Sequence, residues 1–215
     1  MPVSLSRPTL IAYNGYSSGL GNRVRVVLGC QSLAELEGRD FRFVWPTGKL
    51  FEPRFSDLWH VEERLVSRAT SRVLAYAFPY VDETLTWLTD QKRRERIWQI
   101  RTGSPIRLPD TAEPWPERLR RLEPVDRIAE QVNYYRREFL GDEPYVGVMI
   151  RSHTVSHSVT RETSPVSWFV ERMSDIRRQD PSVRFFVSCD VQEVQESILA
   201  RFPGCAAQRD KGPYN

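Results

Sequence analysis

The feature that most constrains the fold lies near the start of the chain, where an apolar run is followed by a glycine-rich turn and a long amphipathic segment. Residues 9–13 (TLIAY) have the composition of a buried strand, and apolar side chains then recur at helical spacing over 22–37. Gly38 is a helix stop signal, and 41–45 (FRFVW) alternate like a second strand. Because strands joined by one helix pair in parallel through a right-handed crossover, this unit predicts an α/β layer.

A similar pattern returns in the last third of the chain. Residues 145–150 (YVGVMI) and 184–189 (RFFVSC) are near-continuous apolar runs, which are typical of strands buried on both faces. Ser164-Pro165 predicts the start of a helix between them, and a short strand is expected at 205–208. We interpret this region as a second βαβαβ unit.

The middle of the chain is more polar. Residues 46–60 predict an irregular loop rich in aromatic side chains, and the charged residues over 90–101 predict a helix. Four prolines within 103–116 mark the clearest linker, and a second charged helix is predicted over 117–140. Charge runs of this kind are typical of solvated helix faces.

These patterns predict an α/β fold with two Rossmann-like domains. The N-terminal domain covers 1–105, a linker with a charged helix covers 106–142, and the second domain covers 143–215. Three predicted strands make only a thin sheet for the second domain, which we therefore expect to be incomplete. Either the sequence is a truncated protein or it is a naturally short relative of a longer one.

Composition limits the classes of ligand. The chain has 215 residues, 40% of them hydrophobic, which is enough for a packed core, and its net charge of +3 is too small to indicate a nucleic-acid partner. Its only lysines are Lys49, Lys92 and Lys211, so arginine carries most of the positive charge. Guanidinium groups suit phosphate and carboxylate ligands, although a GC-rich genome that favours Arg codons explains the composition equally well.

The cysteines and the termini point to a reducing compartment. Cys30, Cys189 and Cys205 lie in apolar surroundings without paired spacing, so neither a disulfide framework nor a zinc site is predicted. No signal peptide opens the sequence, and no apolar run is long enough to span a membrane. We expect a soluble cytoplasmic protein with buried thiols, no metal site and no membrane span.

The glycine-rich turn matches neither common nucleotide-binding fingerprint. Val24 stands where the dinucleotide pattern after Gly19 and Gly21 requires a third glycine, and no complete P-loop motif occurs. The predicted helix begins with Asn22 and Arg23, and helix N-terminal amides attract anions. The turn is therefore either an anion-binding loop or a structural turn in which Asn22 caps the helix.

Arg151 is a sharper candidate, because it directly follows a predicted buried strand. Open α/β sheets bind their ligands at the carboxyl ends of their strands, where an arginine can hold a phosphate; the alternative is a surface arginine paired with an acid. His153 and His157 follow on the same polar stretch, as assisting or merely solvated residues. Asp190 ends the next strand and either caps a helix, with Glu193 completing a capping box, or contacts a ligand.

Several motifs together resemble one known family. The segment SSGLGNRVRVVLG is similar to GGLGNRL, VGVMIRSHT to VGVHIRRxD, and RFFVSCDVQEVQESILARFPG to FFLATDDPEVxxxLxxxFP, each of which belongs to the fucosyltransferase-like superfamily. The tail DKGPYN and the segment FVWPTGKLFEPRFSDLW also resemble parts of such enzymes. The matches follow the family's order, and the group includes bacterial nodulation α-1,6-fucosyltransferases and, more distantly, protein O-fucosyltransferases.

The resemblance implies a GT-B-like fold and a glycosyltransferase activity. It implies an inverting, metal-independent enzyme that transfers fucose or a related sugar from a nucleotide donor, with GDP-fucose favoured, to a hydroxyl of a glycan or another acceptor. The donor is a substrate, so no cofactor is expected. A sulfotransferase-like group transferase and a non-catalytic relative that binds carbohydrate or a protein partner are the alternatives.

The resemblance also assigns roles to individual residues. Arg151 matches the arginine that binds the donor diphosphate and supports its departure, and we predict that it is catalytic. The predicted donor-binding set consists of the glycine loop facing the interdomain cleft and the strand ends bordering the nucleotide: Gly19, Gly21, Asn22, Arg23, His153, Ser188 and Asp190. No general base is identified, although Glu52, Asp57 and His60 are candidates.

The sequence departs from the family pattern at several positions of the expected donor pocket and at its end. Met149 stands where the family usually has histidine, and Ser152 and Thr154 replace an arginine and an aspartate. The chain also ends before the serine-rich phosphate-binding loop that the family would lead us to expect. These departures leave the base and the sugar of the donor open.

Overall fold

The computed structural model describes residues 7–15, 18–48, 51–62, 64–142, 144–154 and 158–208. It divides the chain into two compact units, Met1–Val125 and Asp126–Asn215. His157, Lys49 and the DKGPYN tail of the sequence comparison lie outside the described residues.

The first unit is built on a four-stranded parallel sheet with the strand order β2-β1-β4-β3. Its strands are β1 (Thr9–Tyr13), β2 (Asp40–Val44), β3 (Tyr80–Val81) and β4 (Ile97–Arg101). Its helices are α1 (Leu20–Leu36), α2 (Arg68–Leu74), α3 (Asp90–Arg93) and α4 (Trp115–Arg120). The predicted strand–turn–helix–strand unit at the start of the chain is confirmed.

Strand β1 is buried on both faces, and its alternation separates two apolar clusters. Leu10 and Ala12 belong to the cluster that contains the buried residues of α1, whereas Ile11 and Tyr13 belong to a second cluster with Val66. Since successive side chains of a strand point to opposite faces, β1 is the central element of the core of this unit.

Helix α1 ends where the sequence predicts, through a Schellman motif at Gly38. The Arg39 amide donates to the Ala34 carbonyl at 2.8 Å, and the Gly38 amide donates to the Glu35 carbonyl at 3.2 Å. Gly38 has a φ of 61°, the left-handed conformation that this motif requires and that glycine adopts without a Cβ clash.

The prediction of a helix over 90–101 is wrong beyond its first turn. Helix α3 covers only four residues, and β4 then enters the sheet beside β1 with Trp98 and Gln99 fully buried. The Gln99 amide is satisfied by the Ser71 hydroxyl at 2.7 Å and by the Phe78 carbonyl at 2.9 Å. The basic residues before β4 have the pattern of a solvated helix face. The apolar run that follows them forms a strand because it is buried in the sheet.

The proline-rich segment that the sequence assigns to a linker packs on the first unit. Ile106 is buried, and a Cβ built on Gly29 of α1 would lie 3.2 Å from its side chain, so the helix and this segment are in close contact. The division between the two units falls after Val125, within the 106–142 segment that the sequence assigns to the linker.

The second unit is a three-stranded parallel sheet in the order β5-β6-β7, and the predicted second βαβαβ unit is confirmed. Its strands are β5 (Tyr145–Ile150), β6 (Arg184–Cys189) and β7 (Ala206–Ala207). Its helices are α5 (Asp126–Tyr135), which continues into a π-helical turn at Arg136–Leu140, α6 (Ser158–Thr163), α7 (Val166–Gln179) and α8 (Gln192–Arg201).

Strands β5 and β6 are not buried on both faces, which corrects the interpretation of their apolar runs. Val148 and Phe185 lie in the core with Met173 of α7 and Ile198 of α8. On the opposite face of β5, Met149 is 64% exposed. Helices α7 and α8 therefore cover one face of this sheet, whereas the other face is contacted by Tyr135 at the end of α5, whose ring lies 6.3 Å from that of Phe186.

The prediction of buried thiols is confirmed for two of the three cysteines, and Cys205 is only half-buried. None of the three, all of which lie in described segments, forms a disulfide, and Cys30 and Cys189 are buried. Burial raises the pKa of the Cys30 thiol, and burial also raises the pKa of the Cys205 thiol against the opposing effect of Arg177. None of the described helices is both long and apolar enough to cross a membrane.

Replacing Gly38 by alanine tests the Schellman motif. We expect Gly38→Ala to lower the free energy of unfolding by about 1 kcal/mol, because a Cβ is unfavourable at positive φ. Gly103→Ala is the matched control, since Gly103 has no positive φ and open space at its Cβ position. Urea denaturation measures both, and equal losses would contradict the role assigned to Gly38.

Candidate donor-binding site

The carboxyl ends of β5, β6 and β7 form one edge of the second sheet. Parallel pairing sets Ile150 beside Cys189, so Arg151 and Asp190 leave the sheet side by side. A depression of about 290 Å³ at this edge is lined by these two residues together with Ser188 and Gln208. The structure thus brings together three of the residues that the sequence predicts for the donor: Arg151, Ser188 and Asp190.

Asp190 contacts the segment that follows Arg151. Its carboxylate accepts a hydrogen bond from the Ser152 amide at 2.7 Å, a longer one from the Ser152 hydroxyl at 3.3 Å and one from the His153 amide at 3.4 Å. The predicted capping box is wrong, because Val191 is the N-cap residue of α8 and no side chain caps this helix. Instead of the amides of its own helix, the Asp190 carboxylate binds the backbone of Ser152, 38 residues away in the sequence.

Gln195 supports the same edge and was missed by the sequence analysis. This α8 residue is only 2% exposed. Its side-chain oxygen accepts from the Cys189 amide at 3.4 Å, and its side-chain nitrogen donates to the Gln208 carbonyl at 3.0 Å. It therefore ties the end of β6 to the end of β7. A signal was present, since Gln195 lies three residues before Ile198 on the buried side of the helix.

His153 lines a different depression from Arg151. It lines a neighbouring depression of about 600 Å³ together with Arg161 of α6 and Val194 of α8. The two depressions flank the segment Arg151–His153, which makes this segment the centre of the candidate site. The Met149 side chain lines the first depression.

In the first unit, the glycine loop leads directly into α1. Gly19 is the N-cap residue with a φ of −72°, so the proposal that Asn22 caps the helix is wrong. Asn14 at the end of β1 is buried, and its amide nitrogen donates to the carbonyls of Asn22 at 3.3 Å and Thr102 at 3.1 Å. Asn14, which the sequence analysis missed, thereby fastens the start of α1 to the end of β4.

The packing of this unit does not require a glycine at either Gly19 or Gly21. Both are exposed, and a Cβ built on either would meet no atom within 4 Å. Neither has the positive φ that favours glycine. The loop therefore presents bare backbone at the amino end of a 17-residue helix, where amide groups attract anions.

Arg23 has a structural role, which corrects its predicted contact with the donor. The side chain is 1% exposed, its Nε donates to the Ser18 carbonyl at 2.6 Å, and its Nη1 donates to the Pro46 carbonyl. The guanidinium also lies 4.2 Å from the centroid of the Phe51 ring. Because it is packed inside the first unit, Arg23 positions the glycine loop against the segment that follows β2.

The candidate bases lie in the aromatic segment after β2. Asp57 accepts the Arg54 amide at 2.7 Å and so closes a short 3₁₀ turn, while Glu52 and His60 are exposed. Within the described part of the chain, no group of three or more His, Cys, Asp or Glu side chains is arranged to hold a metal ion.

Comparison with proteins of known structure identifies the fold of this chain. No protein-family model matches the chain, and no curated protein matches it. The fucosyltransferase NodZ from Bradyrhizobium matches with a TM-score of 0.60 at 15% identity, over 95% of this chain and 78% of that one. A structure of NodZ α-1,6-fucosyltransferase soaked with GDP-fucose gives a TM-score of 0.59 with the same identity and coverage.

POFUT1 in complex with GDP-fucose matches with a TM-score of 0.54 at 14% identity, over 95% of this chain and 85% of that one. The chain has the fold of these fucosyltransferases. The predicted α/β, GT-B-like fold class is thereby confirmed.

Replacing Arg23 by methionine tests its structural role in this fucosyltransferase-like fold. We expect Arg23→Met to lower the free energy of unfolding by about 3 kcal/mol, because two buried carbonyls lose a charged donor. Urea denaturation followed by tryptophan fluorescence measures the change.

The neighbouring Arg25 provides the control for this experiment. It donates to the Gly103 carbonyl at 3.1 Å in an exposed contact, so Arg25→Met should cost at most about 1 kcal/mol. If Arg23→Met is as mild as Arg25→Met, Arg23 does not hold the loop in place.

Proposed function

We propose that the protein is a glycosyltransferase that transfers fucose, or a closely related sugar, from GDP-fucose to a hydroxyl of a glycan or another acceptor. The proposal is supported by the fold shared with NodZ, of which a structure was obtained by soaking with GDP-fucose, and with POFUT1, which has been solved in complex with GDP-fucose. The observation that carries it is the place of Arg151, at the carboxyl edge of the second sheet and in the wall of a depression. This is the edge at which α/β sheets bind nucleotides.

The proposed reaction is a single displacement at the anomeric carbon of the sugar. An acceptor oxygen attacks this carbon, its proton passes to a general base, and the bond from the carbon to the β-phosphate oxygen breaks. The electron pair of that bond stays on the phosphate. One displacement inverts the configuration of the sugar.

Arg151 acts in this mechanism on the leaving group. Negative charge on the β-phosphate is greater in the transition state than in the bound donor, so a fixed guanidinium stabilises the transition state more than the ground state. A planar guanidinium can also bind two phosphate oxygens at once, which orients the diphosphate for departure. The mechanism needs no resident cofactor, since the donor is itself a substrate.

Nucleotide binding is the first test. Isothermal titration calorimetry with GDP, UDP and ADP should show binding of GDP at least tenfold tighter than that of the other two. Preferential binding of an adenine nucleotide would instead favour the sulfotransferase-like alternative. If no nucleotide binds to the folded protein, the proposal is wrong.

Replacing Arg151 by alanine tests the mechanism. We expect Arg151→Ala to lower kcat for transfer from GDP-fucose by about 10²–10³, which is the usual cost of removing one group that stabilises developing charge. Arg178→Ala is the control, because Arg178 is an exposed arginine of the same unit that pairs with Asp175 on α7. Near-normal turnover by folded Arg151→Ala would exclude Arg151 from catalysis.

A further inference from the structure

Asp190 contacts the peptide chain on both sides of Arg151. Its backbone amide donates to the carbonyl of Ile150, the residue before Arg151, at 3.4 Å. Its carboxylate accepts from the amide of Ser152, the residue after Arg151, at 2.7 Å. Asp190, the residue that directly follows β6, thereby holds the backbone on either side of the candidate catalytic arginine.

From this arrangement we infer that Asp190 is a positioning residue, which fixes the direction of the Arg151 side chain rather than binding the donor. The inference rests on the proposed function of Arg151. It replaces the donor contact that the sequence predicts for Asp190 with a role exerted through the backbone of Ser152 and His153.

Arg151 needs such support because of where it lies. Strand β5 ends at Ile150, so Arg151 is exposed and stands outside the regular ladder of the sheet. The backbone conformation of such a segment sets the direction in which the side chain leaves the chain. Hydrogen bonds from amides to an ionised carboxylate are among the stronger ones in proteins, and they hold the segment in one conformation.

The charge of Asp190 favours the same role. A carboxylate that faced the donor would repel its diphosphate, whereas one that accepts amide N–H groups is partly neutralised by them. Asp190 can thus lie in the same depression as Arg151 while its carboxylate oxygens are directed at the Ser152 and His153 amides.

The contact is anchored in the core of the unit. Ser152 is only 7% exposed and Cys189 is 4% exposed. The Ser152 hydroxyl lies 3.5 Å from the Cys189 sulfur, and the Val191 amide donates to that sulfur at 3.5 Å. Ser152 is therefore packed in the core, and so is Cys189, the residue before Asp190. This packing fixes both sides of the contact, as a positioning group requires.

A double-mutant cycle tests the inference. We expect Asp190→Asn to lower kcat for transfer from GDP-fucose about 10- to 100-fold, because a displacement of about 1 Å at the reacting groups costs up to this much. In the Arg151→Ala background the same substitution should lower kcat less than twofold, since there is no guanidinium left to position. An undiminished loss in that background would show that Asp190 acts independently of Arg151 and would overturn the inference.

Two variants control for side effects. Ser152→Ala removes the long hydroxyl contact and retains the amide, so kcat should fall less than threefold; a loss as large as that of Asp190→Asn would place the role in the hydroxyl and overturn the inference. Asp175→Asn removes an exposed carboxylate from α7 and should leave kcat unchanged. If Asp190→Asn does not fold, Asp190→Glu replaces it in the cycle with the same expectation, because the added methylene displaces the carboxylate.

A readout without activity separates this inference from the proposed function. In the ligand-free protein, hydrogen exchange measured by NMR should be at least tenfold faster at the Ser152 and His153 amides of Asp190→Asn than in the wild type. Unchanged exchange would overturn the inference even if the enzyme transfers fucose. Failure of the wild type to bind GDP or transfer fucose would refute the proposed function, while faster exchange would still establish the contact.

Discussion

The parallel pairing of β5 with β6 is the constraint on which the candidate site depends. It sets Ile150 beside Cys189, so that Arg151 and Asp190, which are far apart in sequence, leave the sheet as neighbours. Every later feature of the site follows from this register, because a shift by one residue would turn each side chain to the other face of the sheet. Burial of the apolar side chains of β5 and β6 fixes this register and thus determines which residues meet at the edge of the sheet.

Both units hold a candidate functional segment at the carboxyl edge of a parallel sheet by means of polar side chains directed at the backbone. In the first unit, Asn14 and Arg23 bind carbonyl groups around the glycine loop. In the second unit, Asp190 binds amides after Arg151, and Gln195 joins two strand ends. Three of these side chains are at most 2% exposed, so their contacts are protected from competition by water.

Local patterns in the sequence predict the strands and helices whose apolar spacing is unbroken, including the unit from β1 to β2 and the second βαβαβ unit. They fail where a distant partner decides. The charged residues before β4 predict a helix, yet this segment forms a strand, which is buried because it lies between β1 and β3. The Asp190 side chain has a local capping pattern available, yet it binds the Ser152 amide, which only the folded sheet brings near. Likewise, nothing local shows that Arg23 is a buried residue rather than one facing a ligand.

The carboxyl edge of the second sheet also bears on which nucleotide sugar the proposed site would select. An identity of 15% with NodZ is compatible with a shared fold because backbone pairing and core volume tolerate many side chains. In the proposed mechanism Arg151 acts on a diphosphate, which many nucleotide sugars share, so this residue suits a class of reaction rather than one donor. Selection of a base or a sugar depends on the surrounding side chains. Met149 is 64% exposed and lines the same depression, so it is a position at which donor preference can diverge without a change in the role proposed for Arg151.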